Sequence, residues 1–385
     1  MTAPGDTVAA PATPLAPGAI GAVVVTGPDA DAIVARVFRA RGAERGGIRV
    51  GEIVSPAGVP LDEAVALRLA SAPGGEARLE IDVHGGRGPV SALLGRLAAE
   101  GARVLDVAEF RRFLVGRGDH DAIWLEASEA LDAAETLESA AFLATAVSGR
   151  LSAAIRAIER ALARGAPGAR EELARLIALA PLGEALVRPP VVVLSGPPNA
   201  GKSTLFNALA GASVALTSPE RGTTRDALEA TVLMGRWPVR LVDTAGVGGE
   251  ESDLDRSASE MAVRRAAAAA VVVRVVDGSL SAPDLVPGTG PVAVTRADRP
   301  PGFPLSAIAD RVAGEVVRVS GETGAGLRQL GDAVRRALSL PERPPEGPVP
   351  FTERQAAAAR AAFAEPDDSR AARLLAAARG GSEPR

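Results

Sequence analysis

The sequence predicts an α/β domain with a doubly wound, mostly parallel sheet, inserted in an α-helical domain and preceded by an N-terminal α+β domain. Up to residue 117, short apolar runs alternate with Gly and Pro. Over 118–188 the chain is rich in Ala, Leu, Glu and Arg at helical spacing, and this pattern returns over 350–385. Between them, over 189–340, β-branched runs alternate with helix-like segments, which is typical of a doubly wound domain.

The N-terminal domain is expected to be α+β because two periodicities occur in it. Strand-like runs lie at 21–26, 77–83 and 102–107, and helix-like segments lie at 30–41 and 89–100. Gly and Pro residues separate these runs, as they do between short strands and helices in small mixed domains.

The helical domain is predicted from apolar residues at helical spacing over 119–186, with one break at 165–168. This pattern indicates a helical hairpin or part of a bundle. Its arginines are interleaved with acidic residues, so solvated helix faces are expected rather than a basic nucleic-acid tail.

The inserted domain contains five apolar, β-branched runs, each followed by a helix-like segment. The runs lie at 191–194, 239–242, 271–276, 291–295 and 316–319. Buried parallel strands have this near-continuous apolar character, because helices cover both faces of their sheet. A Pro-rich stretch at 341–350 is expected to end the domain.

Composition excludes several functional classes. The 385 residues carry a net charge of −4 and include no cysteine, which excludes disulfides, thiolate catalysis and cysteine-ligated zinc. The two histidines, His84 and His120, make a histidine-rich metal site unexpected. The longest apolar run, 266–273, is far shorter than the roughly 20 residues of a membrane span. The N-terminus does not resemble a signal peptide, so a cytoplasmic location without membrane association is expected.

One lysine occurs among the 43 basic residues, and it is Lys202. Arginine is a planar fork and lysine a compact point charge, so arginine can replace lysine on a surface but not inside a tight backbone loop. The lysine that remains therefore indicates a position where a compact ammonium group is required.

Lys202 lies in the sequence GPPNAGKS at 196–203, which fits G-x-x-x-x-G-K-[ST] after a strand-like run and before a helix-like one. In such a P-loop, backbone N–H groups surround phosphates, the lysine reaches the β- and γ-phosphates, and the serine coordinates Mg²⁺. We therefore predict that Lys202 is catalytic and that Ser203 binds Mg²⁺. The predicted nucleotide contacts in this loop are Asn199, Ala200, Gly201, Lys202, Ser203 and Thr204.

Two further motifs follow in the order typical of small GTPases. The motif D-T-A-G at 243–246 ends a strand, where Asp243 is expected to hold Mg²⁺ through water and Gly246 to donate its N–H to the γ-phosphate. The motif G-T-T-R-D at 222–226 places Thr224 as a second Mg²⁺ ligand and catalytic switch residue.

Guanine is the expected base. Thr295-Arg296-Ala297-Asp298 follows a strand-like run where GTPases usually carry N-K-x-D, so Asp298 would accept hydrogen bonds from guanine N1 and N2. Thr295 replaces the asparagine and Arg296 the lysine. Ser320 and Gly321 follow the next strand, and the Gly321 N–H could meet guanine O6. The alternative is that Asp298 only caps a helix.

The residue after D-T-A-G is Val247, where Ras-like proteins place the glutamine that orients the attacking water. Catalysis must therefore use another group. The Asn199 amide oxygen beside the phosphates could help to hold a monovalent cation. The alternative is an asparagine that suits a turn.

These motifs resemble the tRNA-modification GTPase family MnmE, also called TrmE. The resemblance is strongest in GPPNAGKSTLFNALAG at 196–211 and in the two motifs that follow it. It continues in LEIDVHGG at 79–86, in 109–114 and in 137–151. It implies a potassium-stimulated GTPase that dimerises through a folate-binding N-terminal domain and acts with a flavin-dependent partner on the wobble uridine of tRNA.

The resemblance also assigns roles residue by residue. It implies that Asn199, Ser218 and Thr223 bind K⁺, with residues 218–222 covering the ion. The family's acidic residue that helps to orient water falls at Asp255, where the family has glutamate.

Several positions depart from the family pattern. The family ends in Cys-x-Gly-Lys, implicated in the modification chemistry, whereas this chain ends in GGSEPR. The family's Gly-Arg-Gly-Gly is replaced at 16–19 and its Gly-Glu-Asp at 75–77, which argues against a bound folate derivative. His84 either lines that pocket or lies in a turn.

Two alternatives to a tRNA-modifying GTPase follow from these departures. The first is a divergent GTP-operated switch that binds a protein or ribosomal partner and modifies nothing, which the missing cysteine favours. The second is a chain that binds nucleotide without hydrolysing it, which rests on Thr295 and Asp255.

Overall fold

The structure is a computed structural model that describes residues 6–69, 76–212, 228–243, 269–281 and 287–380. The chain divides into two compact units, Met1–Leu125 and Glu126–Arg385. Within the described ranges, no single helix is long and apolar enough to cross a bilayer; only the pair Leu137–Val147 and Arg150–Ala163, bent by 48° between them, reaches that length and composition together.

The first unit contains a sheet of seven described strands and three helices. The strands are β1 (Val8–Pro11), β2 (Ile20–Thr26), β3 (Phe38–Ala40), β4 (Ile48–Val54), β5 (Pro60–Arg68), β6 (Arg78–His84) and β7 (Arg103–Val104), and the helices are α1 (Ala30–Val37), α2 (Arg87–Ala99) and α3 (Val107–Gly116). The strand order is β3-β4-β5-β6-β2-β1-β7, antiparallel except for the parallel pair β1 and β7. Helices α1 and α2 bury their apolar residues against one face, and α3 packs against the other. The N-terminal α+β fold is confirmed.

Two predictions in this unit were wrong in detail. The helix predicted over 30–41 ends at Val37, and the β4–β5 hairpin was not predicted. The strand predicted over 102–107 has two residues, because a helix begins at Val107. The Asp106 carboxylate accepts the Glu109 N–H at 2.7 Å, and the Glu109 carboxylate accepts the Asp106 N–H at 3.0 Å. This capping box starts the helix earlier than the apolar pattern indicates.

Helices precede and follow the second sheet. Those that precede it are α4 (Ala122–Asp132), α5 (Leu137–Val147), α6 (Arg150–Ala163) and α7 (Ala169–Val187). The prediction of a single break at 165–168 was wrong, because breaks also occur before α5 and α6. The Thr136 side chain caps α5 by accepting the Ser139 N–H at 3.2 Å, and Gly149 has a φ of 84° that a helix cannot continue through.

The described helices that follow the sheet pack against those that precede it. They are α11 (Glu353–Ala364) and α12 (Asp368–Ala376), followed by a 3₁₀ turn (Ala377–Arg379). Arg170 of α7 pairs with Asp368 at 2.7 Å, and Arg379 pairs with Glu159 of α6 at 2.7 Å. The sheet is therefore inserted in the sequence between helices that contact each other, while the boundaries at 188 and 350 stay a prediction.

The second sheet contains six described strands. They are β8 (Val191–Ser195), β9 (Leu228–Met234), β10 (Trp237–Asp243), β11 (Val271–Asp277), β12 (Val292–Thr295) and β13 (Val316–Arg318), accompanied by helices α8 (Lys202–Ala212), α9 (Ser306–Ala309) and α10 (Leu327–Ala337). The order is β13-β12-β11-β8-β10-β9. Five strands are parallel, and β9 pairs antiparallel with β10. The mostly parallel sheet is confirmed, with an antiparallel edge strand that the sequence did not predict.

Alternate residues of the central strands pack on opposite faces of this sheet. Val273 and Val275 pack with α8 and α10 in one cluster, whereas Val276 packs with Phe303 and Ile308 in another. The parallel register brings Asp243 level with Leu194 and Asp277 level with Thr295. The carboxyl ends of four strands therefore meet along one edge, where ligands bind in such folds.

At Gly183, helix α7 lies directly against the segment before α11. A Cβ at this position would lie 2.1 Å from the Pro350 carbonyl oxygen and 2.9 Å from Val349 Cγ1. Alanine is the better helix former, yet we expect Gly183→Ala to destabilise the protein by about 1–3 kcal/mol because it overpacks this contact. Urea unfolding measures the difference.

The matched control is Gly95→Ala in helix α2, where an added Cβ would meet nothing within 4 Å. It should stabilise the chain by about 0.5–1 kcal/mol, through the helix preference alone. A Gly183→Ala variant as stable as the native protein would contradict the close approach.

Candidate nucleotide-binding site

The loop between β8 and α8 is shaped by its backbone. Asn199 and Gly201 have positive φ values of 62° and 89°, which curl the loop before the helix begins at Lys202. Gly196 lies so close to β11 that a Cβ would be 2.2 Å from the Val275 carbonyl oxygen. Gly196 is therefore required because the backbone of β11 leaves no room for a side chain, and Gly201 because of its positive φ. The loop ends at the N-terminus of α8, which is electropositive.

The Lys202 ammonium group lies inside this loop and is 6% exposed. Its Nζ donates hydrogen bonds to the carbonyls of Gly196 and Pro197, both at 2.9 Å. Burial lowers the pKa of Lys202, and the Asp243 carboxylate opposes this shift. An ammonium group has three donors, so the third is available to an anion in the loop.

Ser203 and Asp243 bring two oxygen groups together beside Lys202. The Ser203 hydroxyl donates to Asp243 Oδ2 at 2.7 Å, and Asp243 is fully buried at the end of β10. Hydroxyl and carboxylate oxygens are the donors that Mg²⁺ prefers, and Mg²⁺ in nucleotide sites typically takes few protein ligands beside phosphate oxygens. The residue types and their separation therefore fit the Mg²⁺ site that the sequence predicts.

Asp298 and Ser320 lie at the other end of the site. The hydrogen bond from Ser320 lowers the pKa of the Asp298 carboxyl group, and a bond to its own backbone acts in the same direction. Like other aspartates, Asp298 is ionised at neutral pH, and its carboxylate can accept two N–H donors. Gly321 packs on the first turn of α8, where a Cβ would lie 2.9 Å from the Thr204 carbonyl oxygen.

Thr295 and Arg296 contact the phosphate loop directly. The buried Thr295 hydroxyl lies 2.8 Å from the Ala200 carbonyl oxygen and 3.1 Å from that of Val276. The Arg296 guanidinium donates to the Asn199 carbonyl at 3.2 Å. Thr295 and Arg296, which sequence reasoning connected only with the base, therefore hold two successive carbonyls of the phosphate loop.

These segments enclose a cavity of about 650 Å³. Three loops line it, those that follow β8, β12 and β13, and Ala200 is buried behind it with 1% exposure. The lining includes the predicted residues Asn199, Gly201, Lys202, Ser203, Thr204, Thr295, Asp298, Ser320 and Gly321. The structure thus brings the predicted phosphate and base residues into one cavity.

Five predicted site residues lie outside the described residues. They are Ser218, Thr223, Thr224, Gly246 and Asp255. Their assigned roles in binding K⁺, Mg²⁺, the γ-phosphate and water stay predictions.

Sequence reasoning missed four of the described residues of the site. Arg299 and Glu322 line the cavity. Asp277 and Ser279, at the end of β11, bind the Arg296 side chain. Asp277 and Ser279 could have been predicted from the sequence, because Asp277 ends an apolar strand whose carboxyl end lies at the same edge of the sheet.

In the N-terminal unit, His84 lies exposed at the end of β6. Its Nδ1 is 2.5 Å from Asp62 Oδ1, and its backbone N–H donates to Asp62 Oδ2 at 3.0 Å. The hydrogen bond to Asp62 raises the pKa of His84. Asp62 therefore orients the imidazole, and a role of His84 in a folate pocket stays a prediction.

Comparisons with known proteins agree over most of the chain. Residues 7–117 match the family described as GTP-binding protein TrmE N-terminus, and residues 191–291 match the family of 50S ribosome-binding GTPases. A tRNA modification GTPase MnmE of Thermus thermophilus is 36% identical, over 92% of this chain and 87% of its own length. MnmE of Chloroflexus aurantiacus is 34% identical, over 77% and 71%. Among solved structures, the G domain of the T. maritima FeoB iron transporter is 23% identical over 38% of this chain and 98% of its own, with a TM-score of 0.31.

The burial of Lys202 predicts that its shape is required as well as its charge. In Lys202→Arg, the planar guanidinium has no room between the Gly196 and Pro197 carbonyls, so the loop must open. We expect GDP to bind at least about tenfold more weakly, the equivalent of about 1.4 kcal/mol. Titration calorimetry measures this dissociation constant.

The control is Arg336→Lys, which changes the same two residue types in an exposed ion pair with Glu315 at 2.8 Å. It should leave GDP binding unchanged. Native affinity in Lys202→Arg would contradict the steric argument.

Proposed function

Because the chain belongs to the MnmE family of tRNA modification GTPases, we propose that it binds and hydrolyses GTP in the modification of the tRNA wobble uridine. GTP hydrolysis with Mg²⁺ and a role in tRNA modification follow from the family itself. The choice of wobble uridine, the dependence on K⁺ and the assignment of individual residues are the finer parts of the proposal.

One observation in the structure supports GTP hydrolysis most strongly. The buried Lys202, the Ser203–Asp243 pair and the ionised Asp298 all lie at the carboxyl ends of the parallel strands of one sheet. A triphosphate in the loop would face Lys202 and the N-terminus of α8, while its base would reach Asp298 across the cavity. Phosphoryl transfer depends mainly on such positioning and charge stabilisation.

Each described residue then has a part in hydrolysis. Lys202 neutralises the β- and γ-phosphate oxygens with its remaining donor, and its low exposure strengthens that interaction. Ser203 and Asp243 would hold Mg²⁺, which when bound would supply positive charge beside the phosphate oxygens. The backbone N–H groups of the loop orient the phosphates.

The proposal assigns the remaining catalytic parts by family resemblance. Thr224 would be a second Mg²⁺ ligand, Gly246 would donate to the γ-phosphate, and Asp255 would orient the attacking water. Asn199, Ser218 and Thr223 would hold K⁺ beside the phosphates. The exposed position of Asn199 in the curled loop supports its part in this set.

Guanine selection rests on Asp298 and Gly321. An ionised carboxylate matches the two adjacent donors of guanine, N1–H and the 2-amino group, and adenine presents no such pair. An aspartate is ionised throughout the neutral range at its ordinary pKa, and the lowered pKa of Asp298 extends its role as an acceptor to lower pH. The Thr295 hydroxyl bonds to a carbonyl of the phosphate loop, so we assign base discrimination to Asp298.

The wider assembly is part of the proposal. The N-terminal domain (1–117) would mediate homodimerisation, and the G domain (189–340) would be inserted between the two segments of the helical domain (118–188 and 350–385). A flavin-dependent partner and tRNA would complete the modifying complex in the cytoplasm. A folate derivative is not part of the proposal, because the family's motifs are replaced at 16–19 and 75–77.

Phosphate release tests the enzymatic part. We expect hydrolysis of GTP but not ATP, and faster turnover in K⁺ than in Na⁺ at equal ionic strength. Asp298→Asn should lose activity with GTP and accept xanthosine triphosphate. The asparagine amide places a donor where the carboxylate had an acceptor, and xanthine has a carbonyl acceptor in place of the 2-amino donor of guanine. The absence of GTP turnover in both salts would contradict the enzyme and favour a chain that only binds nucleotide.

Nucleoside analysis of tRNA tests the biological part. A strain that lacks the gene should carry unmodified wobble uridines, and expression of the native chain should restore them. Restoration should fail with Lys202→Ala. Unchanged wobble uridines in the deletion strain would favour the alternative, a GTP-operated switch without modifying activity.

A further inference from the structure

Asp277 joins two parts of the nucleotide site without lining the cavity. It ends β11 with 6% exposure, one strand away from the phosphate loop. Its Oδ1 accepts the Ser279 N–H at 2.9 Å and the Ser279 hydroxyl at 2.6 Å. Its Oδ2 lies 2.8 Å from Arg296 NH1. One oxygen therefore closes a local turn, and the other faces the arginine.

The Arg296 side chain connects Asp277 to the phosphate loop. Its NH1 contacts Asp277 and also the Ser279 hydroxyl at 3.1 Å, while NH2 donates to the Asn199 carbonyl. Arg296 itself has a φ of 58°, a conformation that surrounding contacts must maintain. A planar fork suits this arrangement, because its two nitrogens reach different partners at once.

The contact with Asn199 matters because of the geometry of the peptide bond. In a trans peptide the C=O and the following N–H point in opposite directions. Arg296 fixes the peptide between Asn199 and Ala200, and the Thr295 hydroxyl fixes the peptide between Ala200 and Gly201. These two consecutive peptides belong to the loop that surrounds phosphate, and Gly201 lines the cavity. The Ala200 N–H of the first peptide donates to the Pro197 carbonyl at 3.3 Å, so Arg296 acts on the turn that shapes the loop. The orientation of the second peptide then decides how well the Gly201 N–H meets a phosphate.

We propose that Asp277 is a positioning residue for the phosphate loop: through its ion pair with Arg296 it sets the affinity for the diphosphate part of the nucleotide and leaves base selection unchanged. This inference rests on the proposed nucleotide-binding function. It gives Arg296, which lies in the motif predicted to bind the base, a role in positioning the phosphate loop. Asp277 at the end of the neighbouring strand holds this arginine in place.

The test is Asp277→Asn, which preserves size and an oxygen for the Ser279 turn but replaces the oxygen that faces Arg296 with a donor. Full-length native and variant chains are titrated with GDP and with inosine diphosphate, which lacks the 2-amino group of guanine. We expect both dissociation constants to rise by the same factor, about fivefold, as for the loss of a partly buried charged hydrogen bond. The ratio of the two constants should stay at the native value.

A second variant, Arg296→Met, keeps an unbranched apolar stem but has no donors. It should weaken both nucleotides by a similar factor. The double variant should be no weaker than either single one, because both remove the same interaction. A smaller folded fraction would also raise both constants by one factor, so the coupling in the double variant and the thermal unfolding of each variant, rather than the ratio, exclude a merely structural loss of stability.

The matched control is Glu315→Gln, which breaks the exposed ion pair with Arg336 in the same unit. It should leave both dissociation constants unchanged. Thermal unfolding of each variant shows whether it is folded at the temperature of the titration. If Asp277→Asn does not fold, Arg296→Met tests the same ion pair.

Two different failures can be distinguished. A native chain that binds neither nucleotide would overturn the proposed function and this inference together. A native chain that binds both, with native constants in Asp277→Asn, an altered ratio between them, or additive effects in the double variant, would overturn the positioning role alone.

Discussion

The burial of one ammonium group within a backbone loop is the constraint on which the nucleotide site depends. Lys202 is 6% exposed and bonded to two carbonyls of its own loop. A buried charge is costly unless hydrogen bonds and an opposite charge compensate for it. The carbonyls supply the bonds, and Asp243 supplies the opposing charge. A triphosphate would complete this compensation, which is why the geometry favours an anionic ligand.

The loop can hold this group only because the sheet holds the loop. Gly196 lies against β11 without room for a side chain. Thr295 at the end of β12 and Arg296 after it bond to successive loop carbonyls. The parallel register places these strand ends side by side. The proposed base contact at Asp298 and the proposed phosphate contact at Lys202 are thus connected through the backbone of the loops that follow β12 and β8.

Sequence reasoning went furthest where a function requires a particular residue type. The P-loop, the strand after which it lies, and the positions of Asp243 and Asp298 could be read from spacing, since phosphate and guanine chemistry allow few substitutes. It failed where contacts between distant segments decide the role. Thr295 was predicted as a nucleotide contact of the base motif, and nothing in that motif predicted that its hydroxyl bonds to the Ala200 carbonyl, 95 residues away. The Asp106 capping box and the antiparallel β9 were missed because local side-chain bonds and edge pairing leave little trace in apolar periodicity.

The sequence by itself determined the fold class, the family and the chemical groups available to a nucleotide, because apolar periodicity and the P-loop residues follow directly from local geometry. Only the tertiary structure decided how those groups are supported. Asp277 and Ser279 belong to no motif in the sequence, yet the register of β11 against β8 and β12 brings them to Arg296. The physical reason is that support comes from neighbours across a sheet, and sheet neighbours are chosen by pairing between strands that lie far apart along the chain.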